Sequence, residues 1–306
     1  MQKLIGYLRL MRPANVVTSV ADVLAGIAIA GYFFPQSIIP GWHTVAGAAG
    51  MSQFPVLLLC ISTIGLYSGG IILNDVFDAE LDAKERPERP IPAGLISKKA
   101  AAIFGGIWFF IGIFAAGMYS KESQYLAVAI MVSCLIYDKY LKHHSLFGPL
   151  SMGLCRGLNL LLGMSIMLDK VQELWYLGIV PIIYIAAITM ISRGEVHGGG
   201  KKTLWFAGAL YFFVIACISY FAFKNGQLLV TLIFLAAFAM MILVPLFRAM
   251  QNPIGPNIGK AVKSGVIALI LMNAAWASAF GVFQIGLFIV ILLPISLLLS
   301  KAFAVT

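Results

Sequence analysis

Residues 73–97 read LNDVFDAELDAKERPERPIPAGLIS and decide how the rest of the chain is understood. Asn74 opens the stretch, and Asp75, Asp78, Glu80, Asp82, Glu85 and Glu88 follow, half of the 12 acidic residues in the sequence. If the apolar run before it continues as a helix, Asn74, Asp78 and Asp82 fall at i, i+4 and i+8, with Asp75 beside them. Stacked carboxylates repel one another, and a hard divalent cation with oxygen ligands, Mg²⁺ here, is the usual compensation. Lys84, Arg86 and Arg89 come next, adding guanidinium forks suited to phosphate oxygens. Carboxylates for a metal beside arginines for phosphate equip a diphosphate site. The bland alternative is a solvated loop just past a membrane helix. Oxygen ligands at helical spacing argue against it, as do Pro87, Pro90, Pro92 and Gly94, which fix the path of the following chain.

Outside this stretch the 306 residues are 61% hydrophobic and only 11% charged, against about 25% charged in soluble domains. The expected fold class is all-α: a polytopic membrane helical bundle of nine to ten spans around a central lipid-facing cavity, one domain over residues 1–306. At about 20 residues per span, apolar segments fall near 15–34, 54–76, 99–118, 123–141, 146–168, 173–193, 203–223, 227–247, 260–280 and 282–303. The last two are so close that they read as a tight hairpin or one broken element. No cleavable signal-peptide pattern is expected, because the first apolar run begins after Met11-Arg12-Pro13 and is long enough to span.

The net charge of +9 is a topology signal. With the N-terminus inside, alternate connections leave only Lys121, Lys170 and Lys224 on the outer side and Arg156 within a span. Nucleic acid is therefore excluded as a partner. The four cysteines lie inside apolar runs without metal-ligand spacing and read as small buried hydrophobes.

Two charges sit inside spans. Asp22 falls in the first and Arg156 in the fifth, with Asn159 one turn on. Intramembrane charges face a bundle interior or an aqueous cavity. Arg156 is read either as a phosphate ligand or as the structural partner of Asp22. Lys142, at an inner helix end, either reaches a phosphate or snorkels to the interface. His143 and His144 lack the spacing of a helical metal pair. A second polar cluster, SRGEVHGGGKKT over 192–203, ends the sixth span, where glycines either admit backbone amides to phosphates or form a flexible turn.

The stretch NDVFDAELDAKERPERPIPAGLIS resembles the first aspartate-rich motif of the UbiA superfamily of intramembrane prenyltransferases, with Glu85 at the family's usual Asn position. Arg12-Pro13-x-Asn15 and Tyr137…Leu141-Lys142 are similar to two further family segments. That resemblance implies Mg²⁺ held by Asn74, Asp75, Asp78 and Asp82, with Arg86, Arg89 and Lys142 steadying the diphosphate of a polyprenyl donor. The departure is in the second motif. Aligned on Gly199-x-Lys201-Lys202-Thr203, its final Asp becomes Glu195 and its first becomes Ile191. Glu195 is then the remaining metal ligand of that motif, and Arg193, Lys201 and His197 are phosphate ligands in place of a second metal. The Ser192–Gly199 string is similar to the EboC-type branch, which places the protein in a bacterial inner membrane.

The reading that follows is Mg²⁺-dependent prenyl transfer from a polyprenyl diphosphate to a lipophilic, aromatic acceptor within the membrane. The alternative is a UbiA-like protein that binds or helps translocate a lipophilic metabolite without catalysis. A secondary transporter ranks last, because the carboxylates lie at the rim and only Asp22 and Arg156 are deep.

Overall fold

The computed structural model describes residues 2–33, 52–195 and 198–303. Its helices are α1 (Gln2–Met11), α2 (Pro13–Ile29), α3 (Phe54–Phe77), α4 (Ala79–Glu85), α5 (Lys98–Tyr119), α6 (Lys121–Ile136) and α7 (Phe147–Met164). They continue as α8 (Leu168–Leu174), α9 (Ile179–Ser192), α10 (Lys201–Lys224), α11 (Leu228–Gln251), α12 (Gly255–Ala279) and α13 (Phe283–Ala302). Eight helical stretches are long and apolar enough to cross a membrane, with α1–α2 and α8–α9 each counted as one. The other two expected spans are α6, which runs on into a π turn over Tyr137–Leu141, and α7, whose apolarity is lowered by Arg156 and Asn159. The ten expected segments are thus all helical among the described residues. The chain is an integral, multi-pass membrane protein.

Helices α2 and α12 are central, and α3, α7, α9, α11 and α13 pack around them. Exposed Phe, Leu and Ile side chains of α5, α10, α11 and α13 face outward, as expected where lipid is the solvent. The closing pair is a hairpin: α12 ends at Ala279, Gly281 takes the left-handed conformation at φ 86°, and α13 begins at Phe283.

Small residues set the central crossing. A Cβ on Gly26 would collide with the backbone of Leu160, and one on Gly163 with the backbone of Val23. Such close approach between α2 and α7 needs glycine on both sides. It brings Asp22 and Arg156 together inside the bundle.

The loop after α4 is held from below. Leu10 and Ile96 join Ile72 and Ala101 in a small apolar cluster that fastens α1 and the Pro-rich loop to α3 and α5. Backbone N–H groups of Leu95 and Ile96 both donate to the Pro90 carbonyl, and Ser97 Oγ caps α5 by accepting from Ala100 N at 3.2 Å.

Candidate active site

A cavity of about 380 Å³ opens among α2, α3, α6, α7, α9 and α12. Its wall is apolar, with Leu66, Ile71, Ile130, Ile185, Ile188 and Leu269 among the lining residues. Polar groups line it in two tiers. The rim carries Arg12, Asn74, Asp78, Arg86, Arg89, Asp138, Lys142 and Glu195; the floor carries Thr63, Tyr67, Arg156 and Asn159. Tyr67 and Asn74 are seven positions apart on α3, so the tiers lie about 10 Å apart along the helix axis.

The expected ligand stack on α3 and α4 divides into two faces. Helix α3 ends at Phe77, and Asp78 caps it with φ −83° and ψ −1°, so the run turns at Asp78. Asn74 and Asp78 face the cavity: Asn74 Nδ2 donates to Asp138 Oδ1 at 2.6 Å, and Lys142 Nζ pairs with Asp78 Oδ2. Asp75 and Asp82 lie behind, both 4% exposed and absent from the lining. Arg89 Nη1 bridges them, 3.3 Å from Asp75 Oδ1 and 2.7 Å from Asp82 Oδ2, and Arg12 Nη2 reaches Asp75 Oδ1 at 2.5 Å. These two aspartates therefore aim arginines at the cavity instead of facing it themselves, which corrects the expectation of four ligands on one helix face. On an unbroken helix Asp82, four positions after Asp78, would share its face; the break between α3 and α4 at Asp78 is what sets the two apart.

The backbone at Arg12 is strained to make this contact. Its φ of 47° is the only positive value at a non-glycine residue among the described residues, and Pro13 follows directly. The bend turns α1 into α2 and directs the guanidinium toward Asp75. One turn further on, Asn15 Oδ1 is buried without a partner among the described residues, on the cavity wall.

The second polar cluster is divided too. Glu195 lines the cavity, and burial raises its pKa while the charge of Arg86 pulls it partly back. Arg193 does not join the rim: its Nη1 and Nη2 donate to the backbone carbonyls of Ser145 and His144 at 3.1 and 2.6 Å, tying α9 to the turn before α7. Lys201 is exposed at the start of α10, outside the cavity lining. His197 lies outside the described residues. Arg156 Nη1 donates to Asp22 Oδ2 at 2.6 Å, so of the two roles read for it the ion pair is formed, and the side chain lines the cavity floor as well.

Asp138 and Tyr137 were not singled out as site residues from sequence. The π turn Tyr137–Leu141, closed by Lys142 N to Tyr137 O at 2.9 Å, brings Tyr137, Asp138 and Lys142 to the rim together. One extra residue in a turn rotates the following side chains, and π turns gather at functional sites for that reason. An α-helical reading of YDKYLK cannot anticipate it.

The rim's donors suit a hard cation. Asn74, Asp78, Asp138, Glu195 and the unpartnered Asn15 oxygen are all oxygen ligands. Among the described residues no three His, Cys, Asp or Glu side chains converge closely enough to form a metal cage by themselves. Beside substrate phosphates Mg²⁺ needs only one or two carboxylates, which Asp78 and Glu195 on the cavity lining would supply. Charge points the same way. Arg12, Arg86, Arg89 and Lys142 face Asp75, Asp78, Asp82, Asp138 and Glu195, so a polyanion at this rim needs added positive charge.

Residues 37–256, well over half of the chain, match the UbiA prenyltransferase family. The chain belongs to that family. Among curated relatives, a digeranylgeranylglyceryl phosphate synthase of Methanothrix thermoacetophila is 33% identical over 156 residues, 51% of this chain and 52% of that protein. The match thus spans about half the length of that relative. The protein of the same name from Methanoculleus marisnigri is 26% identical over 301 residues, covering 92% of this chain and 97% of its own. A solved UbiA homologue from Archaeoglobus fulgidus, bound to DMAPP and Mg²⁺, superposes with a TM-score of 0.64 at 15% identity, covering 91% of this chain and 99% of its own. The UbiA fold is therefore shared along nearly the whole length. The family match stops at residue 256, as α12 begins, yet α12 supplies Val262, Val266 and Leu269 to the cavity wall.

Proposed function

We propose that this protein is a membrane prenyltransferase that moves a prenyl group from a polyprenyl diphosphate to a lipophilic acceptor inside the cavity. The observation that carries the reading is the rim itself: Asp78, Asn74, Asp138 and Glu195 beside Arg86, Arg89 and Lys142, above an apolar chamber. Asn74, Asp78 and Glu195 would hold Mg²⁺, which when bound neutralises charge on the diphosphate. Arg86, Arg89 and Lys142 bind the phosphate oxygens and stabilise the leaving group as the allylic C–O bond breaks and its electron pair departs with the diphosphate. The acceptor's nucleophilic atom then forms the new bond and loses its proton. Tyr137, buried at the rim, presents a ring to the cationic carbon, and the Ile and Leu side chains below exclude water and house the tail.

Similarity to digeranylgeranylglyceryl phosphate synthases favours a glyceryl phosphate lipid as product; an aromatic acceptor is the other reading. The Ser192–Gly199 string supports the EboC-type branch and with it a bacterial inner membrane, and the Lys and Arg distribution supports a cytoplasmic rim.

The test is incubation of the full chain in nanodiscs with radiolabelled geranylgeranyl diphosphate, Mg²⁺ and a membrane lipid extract, beside an Asp78→Asn variant. Transfer of label that vanishes in the variant supports the enzyme. Binding of the diphosphate without transfer supports the second reading, a non-catalytic carrier, which the pre-existing ion pairs on Asp75, Asp78 and Asp82 favour.

A further inference from the structure

Two thiols meet in the cavity wall, and the reaction at the rim uses neither. Cys134 on α6 and Cys155 on α7 are 21 positions apart in sequence, and Cys134 Sγ donates to Cys155 Sγ at 3.5 Å. Cys155 Sγ donates in turn to the Ser151 carbonyl at 3.5 Å. Both cysteines are free, half-buried and on the cavity lining. Cys60 and Cys217 are free as well, but they lie outside the lining, and neither has a thiol neighbour among the described residues.

The pair sits between the two tiers of the cavity. A Cβ on Gly70 would stand 3.2 Å from Cys134 Sγ, so the sulfur rests against bare backbone of α3. Gly70 itself lines the cavity one turn before Asn74, which puts the thiols about 6 Å below the rim. Three residues beyond Cys134, α6 passes into the π turn that carries Asp138 and ends at Lys142. That turn is tied back to α3, by Asn74 Nδ2 donating to Asp138 Oδ1 at 2.6 Å and by the pairing of Lys142 with Asp78. Cys134 is therefore held between α3 and α7, under the part of the rim proposed to grip a diphosphate.

We propose that Cys134 and Cys155 are a modification site: a peroxide small enough to enter the cavity converts them to a disulfide that staples α6 to α7 and loosens the rim. Cys134 Sγ attacks one peroxide oxygen and the O–O bond breaks. A sulfenic acid and one water form, the water taking the thiol proton. Cys155 Sγ then attacks Cys134 Sγ. The S–S bond forms, the S–O bond breaks, and the departing hydroxide takes the Cys155 proton as a second water. Two thiols lose two electrons and one peroxide gains them. The resolving thiol is already in contact, so the disulfide forms ahead of further oxidation of the sulfenic acid. A disulfide bond of about 2.05 Å requires the sulfurs to close by about 1.5 Å. Moving α6 that way lifts Cys134 off Gly70 and pulls on the contacts between the π turn and α3. Packed interfaces answer such shifts by switching arrangement, because they do not deform continuously. Disulfide formation is independent of the prenyl-transfer reading; the consequence for diphosphate binding rests on it.

The test uses the full chain in nanodiscs with Cys60→Ser and Cys217→Ser, so that only Cys134 and Cys155 remain. After treatment with hydrogen peroxide, thiols are counted by maleimide labelling of the denatured protein and the linked peptides are mapped by mass spectrometry. Both thiols should vanish together into a disulfide within one chain, and dithiothreitol should restore them. Dimedone, which traps sulfenic acid, should label the pair at least about tenfold less than it labels Cys155→Ser in the same background, where Cys134 has no resolving partner. Two persistent thiols, a cross-link between chains, or equal dimedone labelling overturns the site. The oxidised protein should bind geranylgeranyl diphosphate with Mg²⁺ about tenfold more weakly than the reduced protein. Equal affinity of the two forms overturns the loosening of the rim. Reduced protein that binds no diphosphate overturns the prenyl-transfer reading instead and leaves the thiol count intact.

Discussion

Lys142 and Asp78, 64 positions apart in sequence, form an ion pair across the cavity mouth, joining the end of the π turn to the bend between α3 and α4. The contact places a cation and a carboxylate side by side where a diphosphate and its counter-ion are proposed to sit. Asp78→Asn keeps the shape and removes the charge. Label transfer in the variant is expected to fall about 100-fold, the scale of losing one preorganised electrostatic contact. Unchanged turnover measured by single-turnover assay would remove Asp78 from the site.

Asp82 acts through Arg89. Both are largely buried, and the carboxylate holds the guanidinium at 2.7 Å. With Asp82→Asn, diphosphate affinity should weaken about tenfold because Arg89 loses an anchor. Mg²⁺ affinity measured without diphosphate should stay unchanged, because Asp82 does not line the cavity. Loss of Mg²⁺ binding alone would restore Asp82 to the ligand set.

Metal removal follows from the rim's charges. Chelation with EDTA should abolish measurable binding of geranylgeranyl diphosphate in calorimetry, and added Mg²⁺ should restore it. Full affinity in EDTA would mean that the four cations of the rim suffice.

The Asp22–Arg156 pair is buried at side-chain exposures of 2% and 6%. Asp22→Ala leaves a guanidinium without its partner and should destabilise the fold by roughly 3–5 kcal/mol, read as a lowered midpoint in thermal unfolding of the detergent-solubilised protein. A midpoint equal to wild type would show that the pair is dispensable.

Gly163→Ala forces a methyl group against the Val23 backbone. Backbone cannot yield as a flexible side chain does, so the cost should be about 1–3 kcal/mol. Gly106→Ala, where a Cβ meets open space, is the control and should leave the thermal midpoint unchanged.

The sequence by itself determined the spans, the membrane setting and the chemistry of the rim. Runs of apolar residues leave no other solvent for the helices, and Asn74, Asp78, Arg86, Arg89 and Lys142 are legible because carboxylates and arginines are so scarce elsewhere. Only the tertiary structure decided which of them face the cavity. A turn at Asp78 sets Asp82 behind Arg89, a π turn rotates Asp138 into the rim, and the carbonyls of His144 and Ser145 in the turn before α7 hold Arg193 outside the cavity lining. The floor is likewise assembled from α2, α3, α7 and α12, whose polar side chains meet across up to 251 positions of sequence. Helical periodicity specifies neighbours within one helix. It does not encode the crossing angle, the cap or the bulge that chooses neighbours between helices.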